Sequence, residues 1–202
     1  RFAGRDHMPM FGWDAVTVPG AVSVWKLLSD RFGRLDFADL FVEAIRYARD
    51  GFLVGPFTAH YWDATVRHMG RFPHFLEHFA PEGRAPLAGE IFARPQLATS
   101  LEMIAQTGGE AFYRGALAEA MALNSRQEGG ALVLDDLATH EAQWVTPTRQ
   151  DYHGVTLHEI PPNGQGLAAQ IALAILESFG LATQPLIKSN CVWVGAMART
   201  TS

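Results

Sequence analysis

Apolar side chains recur along most of this sequence every three to four residues, the spacing that gathers them on one face of an α-helix. Ala21, Val24, Trp25, Leu28 and Phe32 predict one such helix, which Gly33 ends. The pattern is sharper between Asp36 and Asp50, where Phe37, Leu40, Phe41, Ala44, Ile45 and Ala48 form a stripe and Asp39, Glu43, Arg46 and Arg49 take the other faces. Asp36 is placed to accept hydrogen bonds from free first-turn amides, and Gly51 to take the left-handed conformation that closes the helix. A further helix is expected from Phe57 to Met69, after Pro56, with Phe57, Tyr61, Ala64 and Val66 or His68 as its apolar side. Pro73, Pro81, Pro86 and Pro95 then break the chain into short turns. The last of them opens a helix through Leu97, Leu101, Ile104 and Ala105 that Gly108-Gly109 ends. Glu110 to Leu123 continues at helical period, interrupted near Gly115, where the glycine weakens a single unbroken helix.

Other segments follow a different pattern. Ala15 to Val18 reads as a short buried strand stopped by Pro19-Gly20, because proline has no amide to give to a sheet. Asp135-Asp136-Leu137 starts a short helix, and Trp144 to Asp151 and Val155 to Ile160 predict two strands joined as a hairpin through Tyr152-His153-Gly154. Pro161-Pro162-Asn163-Gly164-Gln165-Gly166 makes a stiff, then flexible, turn. After it, Leu167, Gln170, Ile171, Ala174, Ile175 and Phe179 line a final helix. The expected product is an α+β chain, mostly helical, with a small sheet near its end, no internal repeat and no linker dividing it into two domains.

Composition narrows the function classes. Sixteen Lys and Arg against twenty-one Asp and Glu give a net charge of -5 over 202 residues. The basic residues are scattered, which is not the footprint of a nucleic-acid or anionic-membrane binder. No stretch approaches eighteen uninterrupted apolar residues, so no membrane-spanning helix is predicted. Cys191 stands alone and can form neither an internal disulfide nor a cysteine-based metal cluster, and its solitude leaves a cytoplasmic and a periplasmic location equally open. Arg1 to His7 carries no initiator methionine and no signal-like apolar run, which reads as an internal cut point or a processed terminus.

Several short motifs invite chemistry. His74-Phe75-Leu76-Glu77-His78 matches the inverted zinc-peptidase pattern H-x-x-E-H, in which two histidines one helical turn apart hold zinc and the glutamate deprotonates its water. Pro73 and Pro81 limit that helix to about two turns and no downstream cluster offers a third ligand, so an incidental histidine pair and no metal is the expectation. Asn163-Gly164-Gln165-Gly166 precedes a helix whose amides can receive an anion, but it lacks the lysine and hydroxyl of a phosphate loop and reads better as a close strand-to-helix connection. Phe52, Phe57, Tyr61 and Trp62 are weighed as a ligand wall and assigned to core packing. Arg114 can clamp a carboxylate, or it can pair with a nearby acidic side chain or face water, and one of these structural roles is expected. Ser100, Ser125 and Ser178 have no nucleophile setting, and no histidine lies near Cys191, so no catalytic residue is assigned.

Read together, six blocks change the picture. They are Val18-Pro19-Gly20-Ala21-Val22, Gly33-Arg34-Leu35, Ala44-Ile45-Arg46-Tyr47-Ala48 with Gly51-Phe52, Phe112-Tyr113-Arg114-Gly115, Leu134-Asp135-Asp136-Leu137-Ala138, and Tyr152-His153-Gly154 through Gly166. In this order, over Phe11 to Phe179, the chain resembles an interior portion of the large chain of the gamma-glutamyltransferase family. That resemblance implies a predominantly helical piece of the four-layer αββα fold of N-terminal-nucleophile hydrolases, with residues 1–180 as a partial large-chain domain and 181–202 as an atypical tail. It implies a zymogen that cleaves itself before a threonine, which then transfers or hydrolyses the gamma-glutamyl group of glutathione-like amides without a cofactor. The threonine and the carboxylate-binding arginine of the family are expected outside this chain: Arg1, Arg5, Thr183, Thr200 and Ser202 lack the family's surroundings. Asn163, Gly164, Gln165 and Gly166 are the expected cleft-proximal loop. The implied partners are the remaining large- and small-chain segments and, in the complete enzyme, gamma-glutamyl compounds, with self-association of the isolated chain. A noncatalytic helical interaction module, a degenerate relative and a zinc-dependent peptidase are the alternatives.

Overall fold

The computed structural model describes residues 2–161 and 164–179, so the expected tail at 181–202 and Cys191 lie outside the described residues. The chain divides into two compact units, Arg1–Ala142 and Gln143–Ser202. Helices dominate the first unit. They are α1 (Ala21–Phe32), α2 (Val42–Asp50), α3 (Pro56–Met69), α4 (Pro73–Phe79), α5 (Pro95–Gln106), α6 (Glu110–Arg114), α7 (Ala116–Gln127) and α8 (Leu134–Ala138). The break expected at Gly115 falls between α6 and α7. Among the described residues no helix is long and apolar enough to cross a membrane.

Among the described residues, two apolar clusters hold this unit. In one, Val22 of α1, Phe41, Ile104 and Ala105 of α5 and Tyr113 of α6 are buried together, with Phe37, Ile45 and Leu101 packed against them. Helices α2 and α5 lie side by side here, and Arg49 forms an ion pair with Glu102 across them. In the other, Ala118, Leu132 and Leu137 are buried against Trp13, Val18 and Met121.

The segment from Asp36 to Asp50 is not one helix. Phe37–Phe41 winds as a tighter 3-10 turn before α2, and its Phe37 and Phe41 rings meet edge to face at 4.9 Å. Asp36 makes no side-chain cap, and only its backbone carbonyl is used, by the Asp39 amide at 3.0 Å. Gly51 does close α2, at φ 91°. A side chain there would be strained by that φ and would also collide with Ile91. The collision marks a feature that hydropathy did not reveal, an antiparallel ladder of β1 (Phe52–Leu53) with β2 (Ile91–Phe92). Two residues per strand are too few to leave an alternating pattern.

The strand expected at Ala15 to Val18 does not form. Trp13–Ala15 is a 3-10 turn, Val16 is exposed, and the Trp13 indole donates to Asn124 Oδ1 at 3.0 Å, which ties the segment to α7 instead of a sheet. Helices α1 and α3 form as expected but turn different faces inward. On α1 it is Val22 that is buried, while Val24, Trp25, Leu28 and Phe32 are exposed. On α3, Phe57 and Tyr61 remain 80% and 67% exposed. The inward side instead carries Trp62, whose indole donates to the Phe79 carbonyl at 2.9 Å and whose ring meets Phe92 at 4.6 Å. The aromatic group at 52–62 is therefore neither a wall nor a common core.

The second unit contains β3 (Thr148–Tyr152), β4 (Val155–Glu159) and α9 (Gly166–Glu177). The strands pair antiparallel from Thr148 opposite Glu159 to Tyr152 opposite Val155. Their two-residue loop has both residues at positive φ, His153 at 46° and Gly154 at 82°, which suits the right-handed twist of a hairpin. Trp144 and Val145, expected within the first strand, precede it and are half exposed. Leu176 of α9 is fully buried with Tyr152 packed on it, and Gln170 is buried and donates to the Leu157 carbonyl at 3.4 Å. Leu167, Ile171 and Phe179, expected on the inward stripe, are exposed.

One packing defect and one tight contact adjoin each other in the first unit. Ser125 is fully buried and its hydroxyl has no hydrogen-bond partner. A Cβ at Gly130 would press on that hydroxyl and come 2.6 Å from the Trp13 Cβ. Ser125→Ala is accordingly expected to raise unfolding stability by about 1 kcal/mol, since it removes an unsatisfied buried group. Gly130→Ala is expected to lower stability by about 2 kcal/mol through overpacking. Urea denaturation of the two variants reads both effects, and a destabilised Ser125→Ala or a neutral Gly130→Ala contradicts this packing.

Candidate functional site

The expected cleft-proximal loop joins β4 to α9. Pro162 and Asn163 lie outside the described residues, and Gly164 and Gln165 are exposed. Gly166 is the first residue of α9, and a Cβ there would come 2.7 Å from Cγ and Cδ of Glu159. The glycine thus lets the last side chain of β4 lie against the start of the helix. A carboxylate adjoins the end of α9 where a phosphate reading would place an anion, which is the favourable end for negative charge. The contact is the close strand-to-helix connection weighed in the sequence.

The histidine motif falls on α4, a helix of seven residues. His74 Nδ1 is 3.6 Å from Glu77 and its Nε2 is 3.8 Å from Glu128, while His78 is exposed. Among the described residues no group of three His, Cys, Asp or Glu side chains is arranged to hold a metal ion.

Two arginines with the donors to clamp a substrate carboxylate are already engaged. Arg114 pairs with Glu110, one helical turn earlier, at 3.1 Å. Arg84 makes a two-pronged contact with Glu90 at 2.9 Å on each prong and reaches Glu82 at 2.9 Å, on the wall of a cavity of about 210 Å³. The Arg84 hydrogen bond holds the Glu90 carboxyl below the usual glutamate range, helped by the Leu87 amide at 2.8 Å. The same pairing raises the Arg84 guanidinium above its ordinary value. A second, more open hollow of about 420 Å³ runs beside α7, with Leu123, Val133 and Leu134 on its walls and Glu119 and Arg126 at its margin.

The structure also assembles a polar cluster that no local motif announced. Ser23, in the first turn of α1, places its hydroxyl 2.8 Å from the Gly20 carbonyl and 3.0 Å from His140 Nε2. The Tyr113 hydroxyl lies 2.7 Å from the Pro19 carbonyl and accepts the Ser23 amide at 3.1 Å. The Tyr113 ring stacks on the His140 imidazole, with centroids 5.2 Å apart. Ser23 and His140 are 117 positions apart, so only the folded chain reveals their contact. Ser100 and Ser178, by contrast, spend their hydroxyls on backbone carbonyls of their own helices, those of Gln96 and Ile175.

Comparison with known proteins supplies the wider setting. The profile of the gamma-glutamyltranspeptidase family matches residues 1–197. The glutathione hydrolase-like YwrD proenzyme of Bacillus subtilis is 34% identical over 179 residues, covering 88% of this chain and 34% of that protein. The oxamate amidohydrolase proenzyme of Klebsiella pneumoniae is 35% identical over 187 residues, covering 90% of this chain and 35% of that protein. The chain therefore spans about a third of the length of these curated relatives. Among solved structures, the cephalosporin acylase of Bacillus halodurans aligns with a TM-score of 0.86 and 37% identity, over 96% of this chain and 37% of that one. The helices and short ladders described above thus follow part of a helical, layered architecture of the N-terminal-nucleophile hydrolase type. The blocks picked out in the sequence, the shared architecture and a match that runs through nearly every residue agree: this chain belongs to the gamma-glutamyltranspeptidase family.

Proposed function

We propose that this chain is an interior, large-chain portion of an enzyme that transfers or hydrolyses the gamma-glutamyl group of glutathione-like amides, and that the threonine nucleophile is supplied from outside it. The observation that carries the reading is the family match over residues 1–197. The names of the relatives support it, since a glutathione hydrolase-like proenzyme, an oxamate amidohydrolase and a cephalosporin acylase all cleave or transfer at a carbonyl. In the proposed reaction a chain-terminal threonine hydroxyl bonds to the gamma-glutamyl carbon while its own amine takes the hydroxyl proton. The carbon–nitrogen bond breaks and the amine leaves with a proton. Water or an amine acceptor then takes the acyl group and frees the threonine.

This chain's share of the work is to build and cover the site. The segment up to Gly109, α1 to α5, supplies mainly outer helices, the segment 144–160 enters the sheet region, and the loop at 163–166 is the cleft-proximal one. Several hydroxyls are committed elsewhere, which fits a nucleophile drawn from another segment: Ser100, Ser178 and Thr107 donate to backbone carbonyls within their own helices or helix ends. The exposed faces of α1 and α3 and the open edges of the hairpin fit contact with the remaining segments of a precursor. They fit equally the second reading, a noncatalytic interaction module or degenerate relative. The neighbouring coding sequence separates the two, because an upstream arginine motif and a downstream processing threonine belong to the enzyme alone.

The purified chain is expected to release no product from a chromogenic gamma-glutamyl amide above a heat-denatured control, with or without added zinc. A full-length protein carrying it is expected to cleave itself and turn the same substrate over. Turnover by the chain alone contradicts the placement of the nucleophile. Activation by zinc that is lost in His74→Ala and His78→Ala would restore the metallopeptidase reading.

A further inference from the structure

Proton counting at the Ser23 cluster decides what that cluster is. The Tyr113 hydroxyl carries one proton, which goes to the Pro19 carbonyl at 2.7 Å, and it accepts the Ser23 amide. The Ser23 hydroxyl also carries one proton and has two neighbours, the Gly20 carbonyl at 2.8 Å and His140 Nε2 at 3.0 Å. A carbonyl oxygen has no proton to give, so Ser23 donates to Gly20. His140 Nε2 must then carry a proton and donate it to Ser23. A serine set up as a nucleophile needs the reverse, with its own proton aimed at a bare ring nitrogen.

The surroundings hold this arrangement from three sides. The Tyr113 ring stacks on the imidazole with its plane inclined by 26°. The ring also lies close against the start of α1, where a Cβ at Gly20 would stand in ordinary contact, 3.4 Å from Cε1 and Nε2 of His140. His140 lies two residues past the end of α8, its amide bonded to the Leu137 carbonyl at 3.2 Å. We propose that Ser23 locks His140 in the Nε2–H form and that the pair is a latch, fastening the chain where it leaves α8 to the first turn of α1 and to Tyr113 of α6, and is not a nucleophile–base dyad. One hydroxyl, one phenol and one imidazole thereby fix three helices of the first unit at a single point. The latch is independent of the proposed enzyme activity and is tested without it.

The experiment uses the 202-residue chain with ¹⁵N-labelled histidine in mildly alkaline buffer, and long-range ¹H–¹⁵N spectra that distinguish the two ring nitrogens. The His140 signals are assigned by their loss in His140→Gln. The expected result is a protonated Nε2 and a bare Nδ1. In hydrogen exchange the Ser23 and Val24 amides are expected to exchange at least tenfold faster in His140→Phe, which keeps the stack but loses the donor. His140→Gln, whose amide can still donate, is expected to stay within about threefold of the parent. A bare Nε2, or covalent labelling of Ser23 by a fluorophosphonate, overturns the latch, and because both are read on the unmodified chain neither depends on a variant folding. Equal exchange in His140→Phe and the parent overturns it as well.

Discussion

A tyrosine hydroxyl buried among hydrocarbon has to find hydrogen-bond partners, and in the first unit that requirement on Tyr113 sets where α1 begins. The ring belongs to the same cluster as Val22, Phe41, Ile104 and Ala105, so its position is dictated by apolar packing from α1 and α5. Its hydroxyl then has to meet the Pro19 carbonyl and the Ser23 amide, the groups left free where α1 starts. Leaving that hydroxyl unpaired would cost about 1–3 kcal/mol. Satisfying it brings Ser23 within reach of His140 and so closes α8 onto the same point. Packing and polar satisfaction thus act on one residue, and the helices around it have little freedom to shift separately.

Away from that point the apolar surface is distributed unevenly. Helix α1 carries apolar residues on two sides and buries one of them through Val22, while Val24, Trp25, Leu28 and Phe32 face outward. Helix α3 repeats the situation with Phe57 and Tyr61 outward. In the second unit α9 packs on the two-stranded hairpin, while Val155 and, just past its end, Ile160 are exposed. Exposed apolar faces of this kind fit contact with other protein. In the proposed account the rest of the precursor provides that contact, which agrees with a chain spanning about a third of its curated relatives.

The elements legible in the sequence were those whose cause is local. Pro95 opens α5, Gly51 closes α2, Gly115 separates α6 from α7, and His153-Gly154 turns the hairpin, each through backbone preferences that the residue carries wherever it stands. The inward faces were not legible on α1 and α3, because a helix with apolar residues on two sides does not state which side meets the core. The β1–β2 ladder is too short to leave a period. Ser23 and His140 carry no mutual signal across 117 positions, and their meeting depends on where Tyr113 packs. The family was readable for the opposite reason, since six ordered blocks add up even where each alone means little. The loop at 163–166 was singled out by its glycines, and of these Gly166 packs against Glu159 while a Cβ at Gly164 would meet nothing.

The account rests on the claim that the exposed apolar faces and hairpin edges are surfaces awaiting other segments of the same precursor. Amide exchange of residues 144–160 in the isolated chain, followed across a concentration series with light scattering, tests it most directly. The account predicts association that grows with concentration and weak protection along the hairpin edges at low concentration. A strictly monomeric chain with strong protection throughout 144–160 would contradict it, because the chain would then complete its own sheet and core.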